Sequence, residues 1–303
     1  MSDLDKTVNW NVLDISSWQS NTVDFEQIKK DGFKAVIIRA NDANTTMAKD
    51  PCFEMNYSMA KKAGLHIGAY WYLRGTTIDF VLKESEKFAE YCAGKSFDMP
   101  LYVDIEQSDI FALGKGFCTN ACKTFLTNLQ DKHKMFVGIY CSTWYIENYI
   151  DESVRNNFAT WIADYRTYCQ YKGQYGMWQK GTIRTKGVNR GNSDVDFDIC
   201  YVDYPSAIIA RGMNGCKATE LDTTAIYKSG DKDWGIYSIK EVMCMLYDHK
   251  LMKTKVDPNY ITYTQDLIDG TNELLGIWGY KKNGIIGANF MRKLFAYLRN
   301  EVK

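Results

Sequence analysis

The octapeptide Met99-Pro100-Leu101-Tyr102-Val103-Asp104-Ile105-Glu106 decides how this chain is read. Pro100 has no amide proton for a sheet ladder, so it belongs at the start of a strand. Leu101, Tyr102 and Val103 then read as a short buried strand of β-favouring residues. Asp104 and Glu106 are two residues apart and point to the same face of the strand end. Two carboxylates on one face repel each other and raise the proton affinity of at least one. A proton-holding acid beside an ionised carboxylate is the equipment of glycosidic bond cleavage. D-x-E by itself also describes many solvated strand ends, so its meaning depends on the rest of the chain.

Outward from this stretch, short apolar strands alternate with helices. Upstream, strands are expected over 10–15, 34–40 and 66–73, and helices over 23–31, 51–63 and 78–92. Downstream, a helix over 119–132 precedes a strand over 135–141, a short helix over 144–149 and a strand over 160–163. Two further strands, at 176–179 and 194–198, leave no room for full helices between them. This alternation predicts a parallel sheet. About eight strands in roughly 200 residues predict a closed α/β barrel, TIM-like but modified, whose last third is poor in helices. In such barrels the chemistry sits at the carboxyl ends of the strands. Asp14, Tyr70, Asp104, Glu106 and Asp196 all fall at or near expected strand ends. Two of these carboxylates have competing structural readings. Asp14 can cap the turn after the first strand, and Asp196 can pair with Arg190.

Composition narrows the function classes. Lys plus Arg and Asp plus Glu are both 37, so no net field favours nucleic acid or an anionic membrane. No window approaches a membrane-spanning helix. The nine Cys are scattered and odd in number, which fits a reducing compartment better than a disulfide framework. Cys118 and Cys122 have helical spacing, but no neighbouring His or Cys pair completes a zinc site. With only three His, acid–base work falls to carboxylates, and neither a metal nor a cofactor is expected. Tyr, Phe and Trp number 21, 14 and 8; such rings fill cores and also line sugar clefts. The start of the chain carries no basic stretch followed by an apolar one, so no export signal is expected.

The pattern changes after residue 208. Residues 209–221, with Gly212 and Gly215, read as a linker. Three amphipathic helices follow, at 237–251, 264–275 and 288–302, with apolar residues at three- and four-residue spacing. The expected domains are therefore 1–208, a barrel, and 222–303, a small helical domain.

Six motifs in order, over residues 10–203, resemble the family 25 glycoside hydrolases, the Chalaropsis-type lysozymes. They are Asp14-Ile15-Ser16-Ser17-Trp18-Gln19, the F-x-x-I-x-R-A type strand of Phe33 to Ala40, Gly68-Ala69-Tyr70, and P-x-x-x-D-x-E at Pro100, Asp104 and Glu106. Trp161 to Tyr165 (W-I-A-x-Y) follows, and last come Trp178-Gln179 with Val195-Asp196. The chain departs from the family pattern at Trp71, where many members carry His, and at Asp198, where the final motif often carries Asn. The C-terminal Asn283-Gly284-Ile285-Ile286-Gly287-Ala288-Asn289-Phe290 is similar to the D-G-x-x-G-x-x-T turn of three-helix peptidoglycan-binding domains.

The resemblance implies a modified β/α barrel with fewer helices than strands. It implies hydrolysis of the β-1,4 bond between N-acetylmuramic acid and N-acetylglucosamine in peptidoglycan. Glu106 is then the proton donor, and Asp14, Asp104 and Asp196 are the other acidic residues of the cleft. Substrate contacts are expected from Tyr70, Tyr72, Arg39, Tyr140, Trp161, Asp164 and Trp178. The expected partner is bacterial peptidoglycan, with no nucleic acid and no membrane. A muramidase without an export signal, joined to a wall-binding module, looks like a phage or prophage endolysin made in the host cytoplasm and released through a holin-type pore. Two other readings compete: a non-catalytic wall lectin on the same barrel, and a glycosidase for another N-acetylated glycan.

Overall fold

The computed structural model describes residues 6–44, 47–218, 221–258 and 261–301, without the side chains at 20 and 21. The chain divides into two compact units, Met1–Ala218 and Thr219–Lys303.

The first unit is a closed barrel in which each strand pairs with the next and β8 returns to β1. Its strands are β1 (Lys6–Ile15), β2 (Ala35–Arg39), β3 (His66–Tyr72), β4 (Leu101–Asp104), β5 (Val137–Ser142), β6 (Ala159–Ala163), β7 (Met177–Ile183) and β8 (Val195–Val202). The helices between them are α1 (Phe25–Lys30), α2 (Phe53–Ala63), α3 (Ile78–Cys92), α4 (Ser108–Phe111), α5 (Gly114–Thr127), α6 (Thr143–Tyr149) and α7 (Glu152–Arg155). Their boundaries are chemical. Thr77 accepts the Phe80 amide at the start of α3, and Gly64, at φ +69°, closes α2 in the left-handed region.

β1 to β7 run parallel, as the helical crossovers require. β8 corrects the all-parallel expectation, for it is antiparallel to both β7 and β1. The connection from Ile183 to Val195 contains only a 3-10 turn, and a link without a crossover helix joins antiparallel strands. The start of β8 therefore lies at the same end of the barrel as the carboxyl ends of the other strands.

Strands such as Ala35–Arg39 and Ala159–Ala163 are buried along their whole length, because one face packs on helices and the other fills the barrel. The interior holds Val12, Ile37, Met99, Tyr102, Phe136, Tyr140, Trp161 and Met177. Gly138 makes room for this filling: a Cβ there would sit 2.6 Å from the Tyr102 ring. Trp71 is fully buried outside the barrel against Phe88 and Tyr91 of α3. Its indole donates to the buried Glu84, which also caps the Arg74 and Gly75 amides.

The segment expected as a linker is largely part of the barrel. Tyr204–Ala210 forms α8, capped by Asp203. Asn214 is buried beyond it. Its side chain accepts from Phe136 N at 2.7 Å and donates to Met99 O at 3.1 Å, while Phe97 N donates to its carbonyl at 3.0 Å. These bonds close the end of the barrel opposite the carboxylates. Residues 219 and 220 of the expected linker lie outside the described residues.

The second unit contains α9 (Trp234–Asp248), α10 (Gln265–Ile277) and α11 (Ala288–Glu301). They bury one shared core that includes Ile239, Met243, Leu246, Leu267, Leu274, Met291 and Leu294, the three- and four-residue spacing expected of amphipathic helices. A bridge between Tyr227 and Ile286 ties the segment before α9 to the turn before α11. Among the described residues, no helix is long and apolar enough to cross a membrane.

Candidate active site: a ring of carboxyls at one end of the barrel

Strand alternation decides which side chains look inward. Asp14 lies opposite Asp196 in the β1–β8 ladder, and Asp104 pairs with Tyr72 on β3 and Tyr140 on β5. Residues directly opposite share a face, so the aspartates from β1, β4 and β8 converge, with Glu106 just past the end of β4. The four carboxylates that the sequence singles out are thus brought together. Neither competing reading describes them. Ser16, with Gln19, caps the turn after β1 in place of Asp14. Asp196 forms no ion pair with Arg190 among the described residues, and the neighbouring pair is Arg184 with Asp194.

Electrostatics follow from this crowding. Asp14 is 6% exposed and Asp104 4%. Burial, then the negative charge of Asp196, pushes Asp14 well above the usual carboxylate range. Burial, then Glu106 and Asp14, does the same to Asp104, against a smaller opposing pull from Arg39. Glu106 presents solvent-exposed surface, yet its carboxyl is enclosed enough that burial leads the causes of its raised pKa, followed by Asp196. An acid that meets solvent and still holds its proton more tightly than an ordinary Glu suits a general acid. Asp196 is half-buried and raised by burial.

One amide organises the floor. Gln179 of β7 donates from Nε2 to Asp14 Oδ2 at 2.8 Å, and its Oε1 accepts the hydroxyls of Tyr140 and Tyr165, each at 2.7 Å. The two phenols orient the amide, and the amide orients the carboxylate. Below it, Trp161 Nε1 donates to Asp198 Oδ1 at 2.7 Å. The Trp161 ring packs on Tyr140, Tyr102 and Tyr70, with centroids 4.4, 5.2 and 6.1 Å away.

The expected substrate contacts divide in two. Tyr70 and Tyr72 are half-buried and face the carboxyls, with the Tyr72 hydroxyl accepting from Gln107. Arg39, Tyr140, Trp161, Asp164 and Trp178 are buried, with their polar atoms engaged within the protein. Arg39 is ion-paired with Asp50 at 2.8 Å and donates to Ser17. Asp164 accepts from Arg166, Thr143 and the Gln170 amide; these bonds outweigh its burial and hold it down at about 2. Trp178 Nε1 donates to the Asp164 carbonyl at 2.7 Å.

Other rings at this end of the barrel are exposed. Trp18, Trp144, Tyr165 and Tyr168 are exposed by 78%, 59%, 67% and 65%, and they lie in the segments following β1, β5 and β6. All are at the carboxylate end. Sequence reading missed them because exposure of a loop ring has no periodic signature. The W-Q and W-I-A-x-Y motifs did point at Gln179 and Tyr165, without saying what they bind. All nine cysteines are free. Among the described residues, no group of three or more His, Cys, Asp or Glu is arranged to hold a metal ion.

A closed β/α barrel with an antiparallel last strand and converging carboxyls at the strand ends defines the class: a barrel of the glycoside hydrolase type. The chain belongs to the glycosyl hydrolases family 25, whose sequence pattern matches residues 13–184. It is 28% identical over 230 residues to the autolytic lysozyme of Clostridium acetobutylicum, covering 72% of this chain and 66% of that protein. It is 28% identical over 125 residues to lysozyme M1 of Streptomyces globisporus, covering 40% of this chain and 41% of that one. The chain thus spans two thirds or less of the length of these relatives. Its fold is similar to the catalytic domain of endolysin ply40 from bacteriophage P40 of Listeria monocytogenes, with a TM-score of 0.55 and 21% identity over 66% of this chain and 97% of that one.

Proposed function

We propose that the barrel is a muramidase that hydrolyses the β-1,4 bond between N-acetylmuramic acid and N-acetylglucosamine in bacterial peptidoglycan. The observation that carries this reading is the pairing of Glu106, solvent-reachable yet raised in proton affinity, with the ring of Asp14, Asp104 and Asp196. Glu106 gives its proton to the leaving oxygen, and the ring stabilises the positive charge that develops on the sugar. Membership of family 25 and the lysozyme names of its relatives support the substrate class. The same reading includes a role in host lysis, with release through a holin-type pore; a phage endolysin has the same barrel fold.

The helical unit is proposed as the wall-binding module. Supporting this is a groove of about 830 Å³ within it, lined by Trp278, Tyr280, Ile285, Phe290, Arg292 and Lys293 among others, with no acidic side chain in its lining. Aromatic rings stack on sugars and the cations suit the carboxylates of wall peptides.

Mass spectrometry of fragments released from purified peptidoglycan tests the reading. Reducing-end muramic acid is expected. Reducing-end glucosamine, or peptide cleavage, would overturn it.

A further inference from the structure

The deepest carboxyl of the cluster is one that no catalytic role has claimed. Asp198 lies on β8 opposite Val12 of β1 and Gln179 of β7, one inward position below Asp196. It is fully buried. Its Oδ1 accepts the Trp161 indole. Its Oδ2 is also buried and has no hydrogen-bond partner. Asp14 is its inward-facing neighbour across the β1–β8 ladder: Asp198 is opposite Val12 and Asp14 is opposite Asp196, so the two carboxyls stand diagonally on one face, and Gln179, opposite Asp198 on β7, reaches Asp14 at 2.8 Å.

Two ionised carboxylates on one buried face repel each other, and a buried carboxylate oxygen without a donor is costly, so the pair is more stable with one proton, carried on Oδ2 of Asp198 and directed at Asp14. Each carboxyl already accepts one neutral N–H, from Gln179 on Asp14 and from Trp161 on Asp198. Solvation separates them. Asp14 keeps 6% exposure toward the cleft and Asp198 keeps none, so the negative charge is better placed on Asp14. The titratable and polar groups facing Asp198 are Asp14 on β1, Asp196 and Cys200 on its own strand, Tyr102 on β4, Trp161 on β6 and Gln179 on β7. None of these is a cation that would draw the proton away.

We propose that Asp198 is a neutral carboxylic acid that donates its proton to Asp14, a positioning residue that acts with Gln179 to hold the Asp14 carboxylate toward the cleft. Burial, then the charge of Asp14, raises its proton affinity in support. Asn at this position performs the same task, since its Nδ2 donates while its Oδ1 still accepts from Trp161. The proposal rests on the reading of Asp14 as part of the catalytic ring.

The test uses the full chain. Infrared spectra at neutral pH compare the wild type with Asp198→Asn, and kinetics on purified peptidoglycan across pH compare the wild type, Asp198→Asn, Asp198→Leu and Glu106→Gln. The wild type is expected to show a protonated-carboxyl carbonyl stretch that Asp198→Asn removes. Asp198→Asn is expected to stay within about threefold of wild-type kcat in acid and to hold activity further into alkaline solution. Asp198→Leu, which has no donor, is expected to lose roughly ten- to a hundredfold in kcat with KM little changed, the worth of one hydrogen bond to a charged group. The proposal is overturned if Asp198→Asn removes a carboxylate band instead, or if it is as impaired as Asp198→Leu. The infrared result needs no substrate, so it judges Asp198 alone. Activity surviving in Glu106→Gln strikes the muramidase reading alone.

Discussion

Gln179 Nε2 and Asp14 Oδ2 stand 2.8 Å apart although 165 residues separate them in the chain. β7 and β1 are not neighbours in the barrel; β8 lies between them, and the amide reaches across it. This bond fixes the direction of a carboxylate that would otherwise swing within its pocket. Gln179→Ala is expected to lower kcat roughly tenfold, the loss of one hydrogen bond to a charged group. Gln179→Glu should lower it further, because a second carboxylate then faces Asp14. Steady-state kinetics of both variants check the order; equal activities would remove Gln179 from the machinery.

Glu106→Gln is expected to lower kcat by about 10²–10⁴-fold. The replacement is nearly isosteric and the residue meets solvent, so thermal stability should be unchanged. A variant that keeps more than about a tenth of wild-type turnover would contradict Glu106 as the proton donor.

The exposed rings at the carboxylate end predict a binding effect without a chemical one. Trp18→Ala and Trp144→Ala should each raise KM on glycan strands, about 5- to 20-fold for the loss of one stacking platform. Their kcat should stay near wild type, because neither ring touches the carboxyls. Variants in which kcat falls and KM holds would place these rings elsewhere in the reaction.

The carboxyl ring makes stability depend on pH. Asp14, Asp104, Glu106, Asp196 and Asp198 all have raised pKa values in the fold. Such a group binds its proton more tightly folded than unfolded. Its contribution is fully present below the unfolded value, about 4, and is lost as pH rises through the folded one. The lowered Asp164 acts in the opposite sense, but only as pH falls toward about 2. Tm of the barrel should therefore be highest near about pH 4 and decline as pH rises above it. Asp104→Asn should flatten that decline, which calorimetry across pH would show. A Tm that rises as pH is raised from about 4 would mean that these carboxyls bind protons no more tightly in the fold than in the unfolded chain.

The seat of Asn214 sets where the chain can be cut. A fragment ending at residue 218 keeps the bonds from Asn214 to Phe136 and Met99, whereas one ending at 210 removes them. The longer fragment should fold and turn over soluble muropeptides at rates close to the full chain. The shorter should be less stable by about 2–4 kcal/mol, since buried amide and carbonyl groups lose their partners. If the helical unit binds walls, the longer fragment should still lyse whole cells poorly, because a tether raises the local substrate concentration. Equal lysis by fragment and full chain would leave the helical unit without a targeting role.

Much of this molecule is legible from sequence because barrel strands are short, apolar and interrupted by capped helices. Pro100 marks the start of β4, Gly64 ends α2, and the D-x-E pair follows from two-residue periodicity. Such signals are local: each is set by the conformations of a few adjacent residues. Trp161 shows where locality fails. It opens a recognised motif, and nothing nearby in the chain says that Asp198, 37 residues on, will accept its indole N–H.

The amino-acid sequence by itself determined the strand and helix alternation, the two-part organisation and the four carboxylates at strand ends. Each depends on periodicity, capping or chain-breaking residues acting over a single turn or strand. Only the tertiary structure decided that β8 runs backwards and brings Asp196 opposite Asp14, that Asn214 belongs to the barrel, and that Gln179 reaches Asp14 across β8. Those are consequences of closure. When a sheet closes into a barrel, the residues that share its interior are chosen by register and strand order, and distance along the chain no longer measures distance in space.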